Sequence, residues 1–276
     1  MTTANKSQKE LVELVCGLSR EAGRKILQFY RRDPATVLKK DSSPLTVADR
    51  ASHDFLVEAL AAALPGVPVI SEESAELPVE PGQKFWLVDP LDGTKEFLKG
   101  TDEFTVNVAL IEKGRPVLGV VFAPALDLIY SGGLAAGAWR REGPRSPQPV
   151  STRRADAANL AVVASKDHAG PLVEAMLARL GGATLKSMGS SLKFCLVAEG
   201  NADLYLRDLP TMEWDTAAAQ CIVEAAGGGV YELSGAPLGY GKPGLRNGPI
   251  ITVGDAGFSW QSCLNNVSGR KDGDRE

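Results

Sequence analysis

The chain has 276 residues, 44% of them hydrophobic and 23% charged, with a formal net charge of −4. That length holds one large domain or two closely packed ones with a substantial core, and the composition is that of an ordinary soluble globular protein. The mild negative charge, with no basic run that could track a phosphate backbone, argues against a nucleic-acid polymer as partner; small anionic substrates stay open, because bound cations would reverse the local sign.

Residues 1–9 are polar and lack the apolar core of a signal peptide, and no stretch reads as a transmembrane span. Residues 10–30 place Leu11, Leu14, Val15, Leu18, Ala22, Ile26 and Phe29 on one helical face, which predicts a packing helix. Residues 37–44 read as a strand entering a polar loop, with Lys39 and Lys40 as solvated lysines in reach of a phosphate. Thr46 opens a second helix with Phe55, Leu56, Ala59, Leu60 and Ala63 on its apolar side. Thr46 and Asp49 have the spacing of a capping box, so Asp49 serves either the helix start or a metal. Pro65 and Gly66 end that helix, residues 67–70 form a short strand, and Ser71-Glu72-Glu73-Ser74 follows as a carboxylate cluster in a loop.

Residues 84–88 are a bulky apolar run, read as a buried strand ended by Pro90. It delivers Asp89 and Asp92 to a strand end, where Asp92-Gly93 is a turn pair and Thr94 is expected to cap a short helix over 95–98. Residues 104–111 and 116–122 form a hairpin about the turn at 112–115, and 128–130 and 138–140 continue it, so an antiparallel meander with two helices on one side is expected. The proline- and charge-rich segment 141–149 is the candidate domain boundary, dividing an N-terminal α+β domain at 1–145 from a C-terminal α/β domain at 146–267.

In the second half, strands are expected at 160–164, 183–187, 202–206 and 249–253, and helices at 171–180, 192–199 and 215–226, the last stopped by Gly227-Gly228-Gly229. Trp214-Asp215-Thr216 puts a carboxylate at a helix start, where the dipole alone would favour it. Residues 268–276 form a charged tail expected to be disordered. Cys16, Cys195, Cys221 and Cys263 show no paired spacing, and with His53 and His168 they make no zinc constellation; the first three read as reduced core cysteines of a cytosolic protein.

Asp49, Glu72, Asp89, Asp92 and Asp215 are thus five carboxylates, each at a strand end or helix start, that a fold could gather into one cleft. Hard oxygen donors of this kind suit magnesium shared with a substrate phosphate. Phosphate ester hydrolysis needs neutralised phosphoryl oxygens, an aligned water and help for the departing alkoxide, and two or more magnesium ions supply all three. The chain carries no Cys-x5-Arg loop, Gly-x-Ser-x-Gly elbow or Walker A loop that would signal another phosphate chemistry, and its one Asp-x-Asp pair, Asp272 and Asp274, falls in the charged C-terminal tail and follows no apolar strand-like run.

Asp89-Pro90-Leu91-Asp92-Gly93-Thr94 together with Trp214-Asp215 resembles the paired signature of the inositol monophosphatase superfamily of magnesium-dependent, lithium-sensitive phosphatases, and Asp49 and Glu72 stand at its other two acidic positions. Glu103-Phe104-Thr105-Val106-Asn107 and the segment 189–200 resemble the CysQ-type 3'(2'),5'-bisphosphate nucleotidases of sulfur metabolism. The resemblance implies a layered α-β-α-β-α fold, related to fructose-1,6-bisphosphatase, and hydrolysis of 3'-phosphoadenosine 5'-phosphate to AMP and phosphate by direct attack of a metal-bound water. It further implies that Glu72, Asp89 and the Leu91 carbonyl hold one magnesium, that Asp89, Asp92 and Asp215 hold a second, and that Asp49 serves a third or its water. Thr94 would orient the water with Asp49 or Glu72 as proton partner, and the Gly93 and Thr94 N–H groups would hold the phosphate.

The second phosphate and the base would meet Ser190, Ser191, Lys193 and Arg207, although a serine here can equally cap the following helix and Lys193 can be a surface lysine. The segment 240–249 departs from the family's order. An inositol or sugar phosphatase of the same fold is the alternative activity, and a catalytically silent metal- or phosphate-binding regulator the alternative class. A cytoplasmic monomer or homodimer is expected, with peripheral association with the inner membrane left open.

Overall fold

The computed structural model describes residues 7–31, 36–38, 44–74, 83–164 and 170–264, with the backbone alone at 36–38 and 44–46. The expectations for Lys39, Lys40, His168, the Thr46 side chain and the tail lie outside the described residues.

Helix α1 (Gln8–Leu27) starts at a capping box, with Ser7 and Glu10 satisfying each other's backbone N–H groups. Strands β1 (Thr36–Leu38) and β2 (Pro44–Thr46) pair as a small antiparallel ribbon, and α2 (Val47–Ala63) follows at once. Strands β3 (Val69–Ser71), β4 (Phe85–Asp92), β5 (Thr105–Glu112), β6 (Arg115–Ala123), β7 (Leu128–Gly133), β8 (Gly137–Glu142) and β9 (Gln148–Pro149) stand side by side in chain order as one sheet. The expected meander is there, joined by β3 in parallel with β4. Helix α3 (Thr94–Lys99) sits between β4 and β5.

The second sheet is mixed, in the order β11-β10-β12-β16-β14, from β10 (Ala161–Ala164), β11 (Thr184–Ser187), β12 (Leu204–Arg207), β14 (Gly229–Glu232) and β16 (Ile250–Val253). Its helices are α4 (Pro171–Leu180), α5 (Leu192–Ala198) and α6 (Ala217–Ala225). A two-residue pairing of β13 (Thr211–Met212) with β15 (Arg246–Asn247) was not legible in the sequence, nor was β14, whose glycine start reads as a helix stop.

Alternation along β4 explains the layers. Trp86 and Val88 face α1 and α2, while Phe85 and Leu87 face α5, α6 and the inner side of the second sheet. Both faces of the first sheet are therefore apolar, which is why β4 and β5 read as almost unbroken hydrophobic runs. The outer face of the second sheet is closed by α4 through Val173 and Met176. The result is the expected α-β-α-β-α stack. Cys16, Cys195 and Cys221 are buried and free, as expected for core thiols, and Cys263 is buried and free as well. Among the described residues no helix is long and apolar enough to cross a membrane.

Two local readings need correction. Strand β4 does not end at Pro90: Asp89 pairs with Asn107 and Asp92 with Thr105, and Pro90 sits in the bulge between them, where it costs no ladder hydrogen bond. Thr94 is not the helix cap; Gly93 is, at φ 86°, a left-handed conformation that favours glycine, and Thr94 is the first helical residue. At the other end of the site, Asp215 closes a 3-10 turn (Glu213–Asp215) and α6 begins at Ala217.

Helix α6 lies directly against the backbone of the first sheet at Gly119 and Gly132, which present no side chain to it. A Cβ at Gly119 would collide with the Ala218 carbonyl and stand 2.8 Å from Cys221 Cβ. Gly119→Ala is accordingly expected to lower stability by about 1–3 kcal/mol, the usual cost of overpacking. Gly17→Ala, on the exposed face of α1 with open space around it, should instead stabilise by up to about 1 kcal/mol. Urea unfolding of the two variants checks the contrast; equal effects would contradict the close approach.

Candidate active site

The first turn of α2 brings in Asp49, only 2% exposed, and the same buried face carries Ser52 and His53. Ser52 Oγ donates to the Pro90 carbonyl in the bulge, and His53 Nδ1 shares a 2.8 Å hydrogen bond with Ser71 Oγ, just before Glu72. One helix thus fixes both loops that carry the next carboxylates. Glu72 opens a 3-10 turn (Glu72–Ser74) after β3. Asp89, 2% exposed, sits at the bulge, where its Oδ1 accepts from the Leu91 N–H at 3.0 Å. Asp92 ends β4, and its Oδ2 accepts from the Ser191 N–H at 2.7 Å. Asp215 Oδ2 accepts from the Met212 N–H at 2.8 Å.

The five predicted carboxylates converge. Burial pushes Asp89 well above the usual carboxylate range, and Glu72, Asp92, Asp215 and Asp49 all add to the shift by like-charge repulsion. Asp92 is raised by burial, with Lys193 and the Ser191 N–H opposing. Asp215 is pushed up to about 8 by burial and by Asp92.

The donor set fits hard divalent cations: buried carboxylates that repel one another, each of Asp89, Asp92 and Asp215 tied by one oxygen to a backbone N–H and leaving the other for a ligand. Among the described residues no three Asp, Glu, His or Cys side chains have closed to the spacing of a single coordination sphere.

Beside the carboxylates lies a cleft of about 190 Å³ lined by Asp92, Gly93, Ser190, Ser191, Lys193, Arg207 and Asp215, all singled out from the sequence. Asp49, Glu72, Asp89, Leu91 and Thr94 do not line it. Asp49 and Asp89 are buried, and the Thr94 hydroxyl donates to the Leu91 carbonyl at 3.3 Å. Sequence reasoning missed Lys95, Glu96, Tyr205, Thr211 and Thr216 in the lining.

The helix-cap and surface-lysine readings are corrected here. Ser191 stands at the start of α5 without capping it; its Oγ donates instead to Asn107 Oδ1 at 2.7 Å. Lys193 is 7% exposed, with its Nζ 5.8 Å over the Tyr205 ring, and burial lowers its pKa against the pull of Asp92.

The segment 240–249 does not line the cleft but braces the Asp215 turn. Buried Glu213 accepts from the Gly241 and Lys242 N–H groups at 2.7 and 3.0 Å, and Asn247 Nδ2 donates to the Met212 carbonyl and Thr216 Oγ1.

A family model described as the inositol monophosphatase family matches residues 7–256. The chain is 46% identical over 241 residues to the 3'(2'),5'-bisphosphate nucleotidase CysQ of Escherichia coli K12, covering 83% of this chain and 94% of that one. It is 47% identical over 236 residues to CysQ of Salmonella typhimurium, with the same coverage. The crystal structure of CysQ from Bacteroides thetaiotaomicron, a bacterial member of the inositol monophosphatase family, superposes with a TM-score of 0.76 at 37% identity, over 90% of this chain and 98% of that one.

The raised carboxylates make a linked prediction for the metal-free protein. Their folded pKa values lie above the value of about 4 in the unfolded chain, so the folded state binds more protons. The stability this provides is complete below about pH 4 and is lost as pH rises towards the Asp215 value of about 8. Thermal melts in chelator should therefore show Tm falling across that window, less steeply in Asp215→Asn. A pH-independent Tm in both proteins would contradict the buried cluster.

Proposed function

The chain belongs to the inositol monophosphatase family, and on that premise we propose that it is a metal-dependent 3'(2'),5'-bisphosphate nucleotidase. It removes the 3'-phosphate of 3'-phosphoadenosine 5'-phosphate, leaving AMP and phosphate. One observation carries the choice of substrate beyond the relatives: the lining of one cleft combines the carboxylates Asp92 and Asp215 with three cationic groups, Lys193, Arg207 and Lys95. A substrate with one phosphate to react at the carboxylates, once cations fill them, and another to meet the lysine and arginine groups fits that combination. An inositol monophosphate has no second phosphate for those cations.

Magnesium, in two or three ions, is the metal these donors suit, and when bound it neutralises the phosphoryl oxygens and lowers the pKa of the attacking water. Glu72, Asp89 and the Leu91 carbonyl would hold one ion, Asp89, Asp92 and Asp215 another, and Asp49 a third. Water adds to phosphorus as the bond to the 3'-oxygen breaks, and that oxygen leaves with the bonding pair and takes up a proton from solvent to give the 3'-hydroxyl. The Thr94 hydroxyl orients that water, and Asp49 or Glu72 takes its proton. The N–H groups of Gly93 and Thr94 meet the reacting phosphate, while Ser190, Ser191, Lys193 and Arg207 receive the remaining phosphate and the base. The buried Lys193 ammonium is worth more there than a solvated one would be, because little water screens it. The protein is assigned to the cytoplasm, as a monomer or homodimer.

Phosphate release from 3'-phosphoadenosine 5'-phosphate should be fast with magnesium, absent without it and inhibited by lithium. Asp92→Asn should cut it by about 100-fold or more, the scale of losing one preorganised electrostatic group, with the fold intact. Hydrolysis of inositol monophosphate but not of the bisphosphate would move the specificity to the alternative activity. Substrate binding without any release would support a silent regulator.

A further inference from the structure

Thr105 and Asn107 stand on β5 behind the cleft, 0% and 1% exposed, and neither lines it. Their side chains lie on the same face of the strand, two residues apart, and both meet the segment 189–191 that the second half of the chain sends across to the first sheet. Gly189 is part of this docking: its N–H donates to Glu103 Oε2 at 2.7 Å, and a Cβ there would stand 2.8 Å from the Glu103 carbonyl. Ser190 is held at φ 45°, a left-handed conformation that a serine keeps only where its surroundings impose it.

Counting protons gives the contacts a direction. A hydroxyl donates once, and a carboxylate only accepts. Ser191 Oγ donates to Asn107 Oδ1 at 2.7 Å, so towards Thr105 Oγ1, 2.9 Å away, it accepts. Thr105, its proton so used, accepts from Ser190 Oγ at 3.1 Å. Asn107 Nδ2 then points to Asp92 Oδ2 at 3.5 Å, and the Ser191 N–H reaches the same oxygen at 2.7 Å. Thr105 Oγ1 also lies 3.4 Å from Oδ2. The two hydrogen bonds that Asp92 receives from Asn107 and Ser191 both fall on Oδ2, which leaves Oδ1 for a cation.

We propose that Thr105 and Asn107 are positioning residues that fix Asp92 and the Ser190–Ser191 segment against each other. One buried hydrogen-bonded chain then sets both the aim of a metal carboxylate and the seat of the substrate's second phosphate. Such partners behind a ligand commonly govern 10–100-fold in metal affinity or activity, on the order of what is expected here. The inference rests on the nucleotidase reading for its substrate side, but its metal side can be tested without turnover.

The experiment is a magnesium titration of the metal-free protein, followed by tryptophan fluorescence since Trp214 adjoins Asp215, alongside steady-state kinetics on 3'-phosphoadenosine 5'-phosphate. Thr105→Val, which keeps the shape and removes the hydroxyl, should weaken magnesium binding by about tenfold or more and lower kcat/KM by a comparable factor. Thr105→Ser, which restores the hydroxyl, should stay within about threefold of the wild type in both. Wild-type magnesium binding in Thr105→Val would overturn the proposal, as would equal impairment in Thr105→Ser, which would mark the lost packing of a methyl group. Should Thr105→Val not fold, Ser191→Ala removes the central hydroxyl while leaving the N–H on Asp92; weaker magnesium binding is expected, and unchanged binding overturns the proposal. If the wild type released no phosphate from the bisphosphate, the nucleotidase reading would fail while the titrations still decided the positioning role.

Discussion

Everything in this protein is arranged around a concentration of negative charge that a folded chain would ordinarily avoid. Carboxylates taken out of water cost several kcal/mol each unless something compensates them, and like charges side by side add to that cost. Here Asp89 is buried and faces Glu72, Asp92, Asp215 and Asp49, and Lys193 opposes the upward shift of Asp92. A structural role for such a group would be better served by apolar residues. Divalent cations convert the same arrangement from a cost into a binding site, and a phosphate ester is the substrate that uses cations held this way.

The scaffold meets that cost by assembling the site from elements that are rigid for other reasons. Asp89 and Asp92 belong to a strand buried on both faces, and Asp49 to a helix packed on that strand. Asp215 arrives from the second half of the chain, on a turn braced by Glu213 and Asn247 and followed by a helix that glycines allow against the first sheet. The cleft opens where the two halves meet: the first contributes Asp92 and Lys95 to its lining, the second Lys193, Arg207 and Asp215.

Much of this was legible in the sequence, for identifiable reasons. Period-two and period-3.6 patterns survive where an element has distinct faces, as in α1 and α4, and the aspartates were conspicuous because each stands at an expected strand end or helix start. Pro90 misled because a proline normally stops a strand, and only the neighbouring strand reveals the bulge that accommodates it. Thr94 misled in the same way: its hydroxyl suits a cap, but Gly93 takes that position with a backbone only glycine adopts easily. Ser191 and Lys193 were ambiguous because their partners, Asn107, Asp92 and Tyr205, are remote in the chain. Thr105 and Asn107 did carry a signal, two polar residues on one side of an otherwise apolar strand, but its meaning depends on what docks against that side.

The most direct test of this account is calorimetric titration of magnesium into the metal-free protein near neutral pH, repeated in buffers of different ionisation enthalpy. If the buried carboxylates are the metal ligands, two or three ions bind and protons are released, because cations displace protons from groups whose pKa values burial has raised. Absence of binding, or binding with no proton release, would mean that the carboxylate cluster is not the metal site.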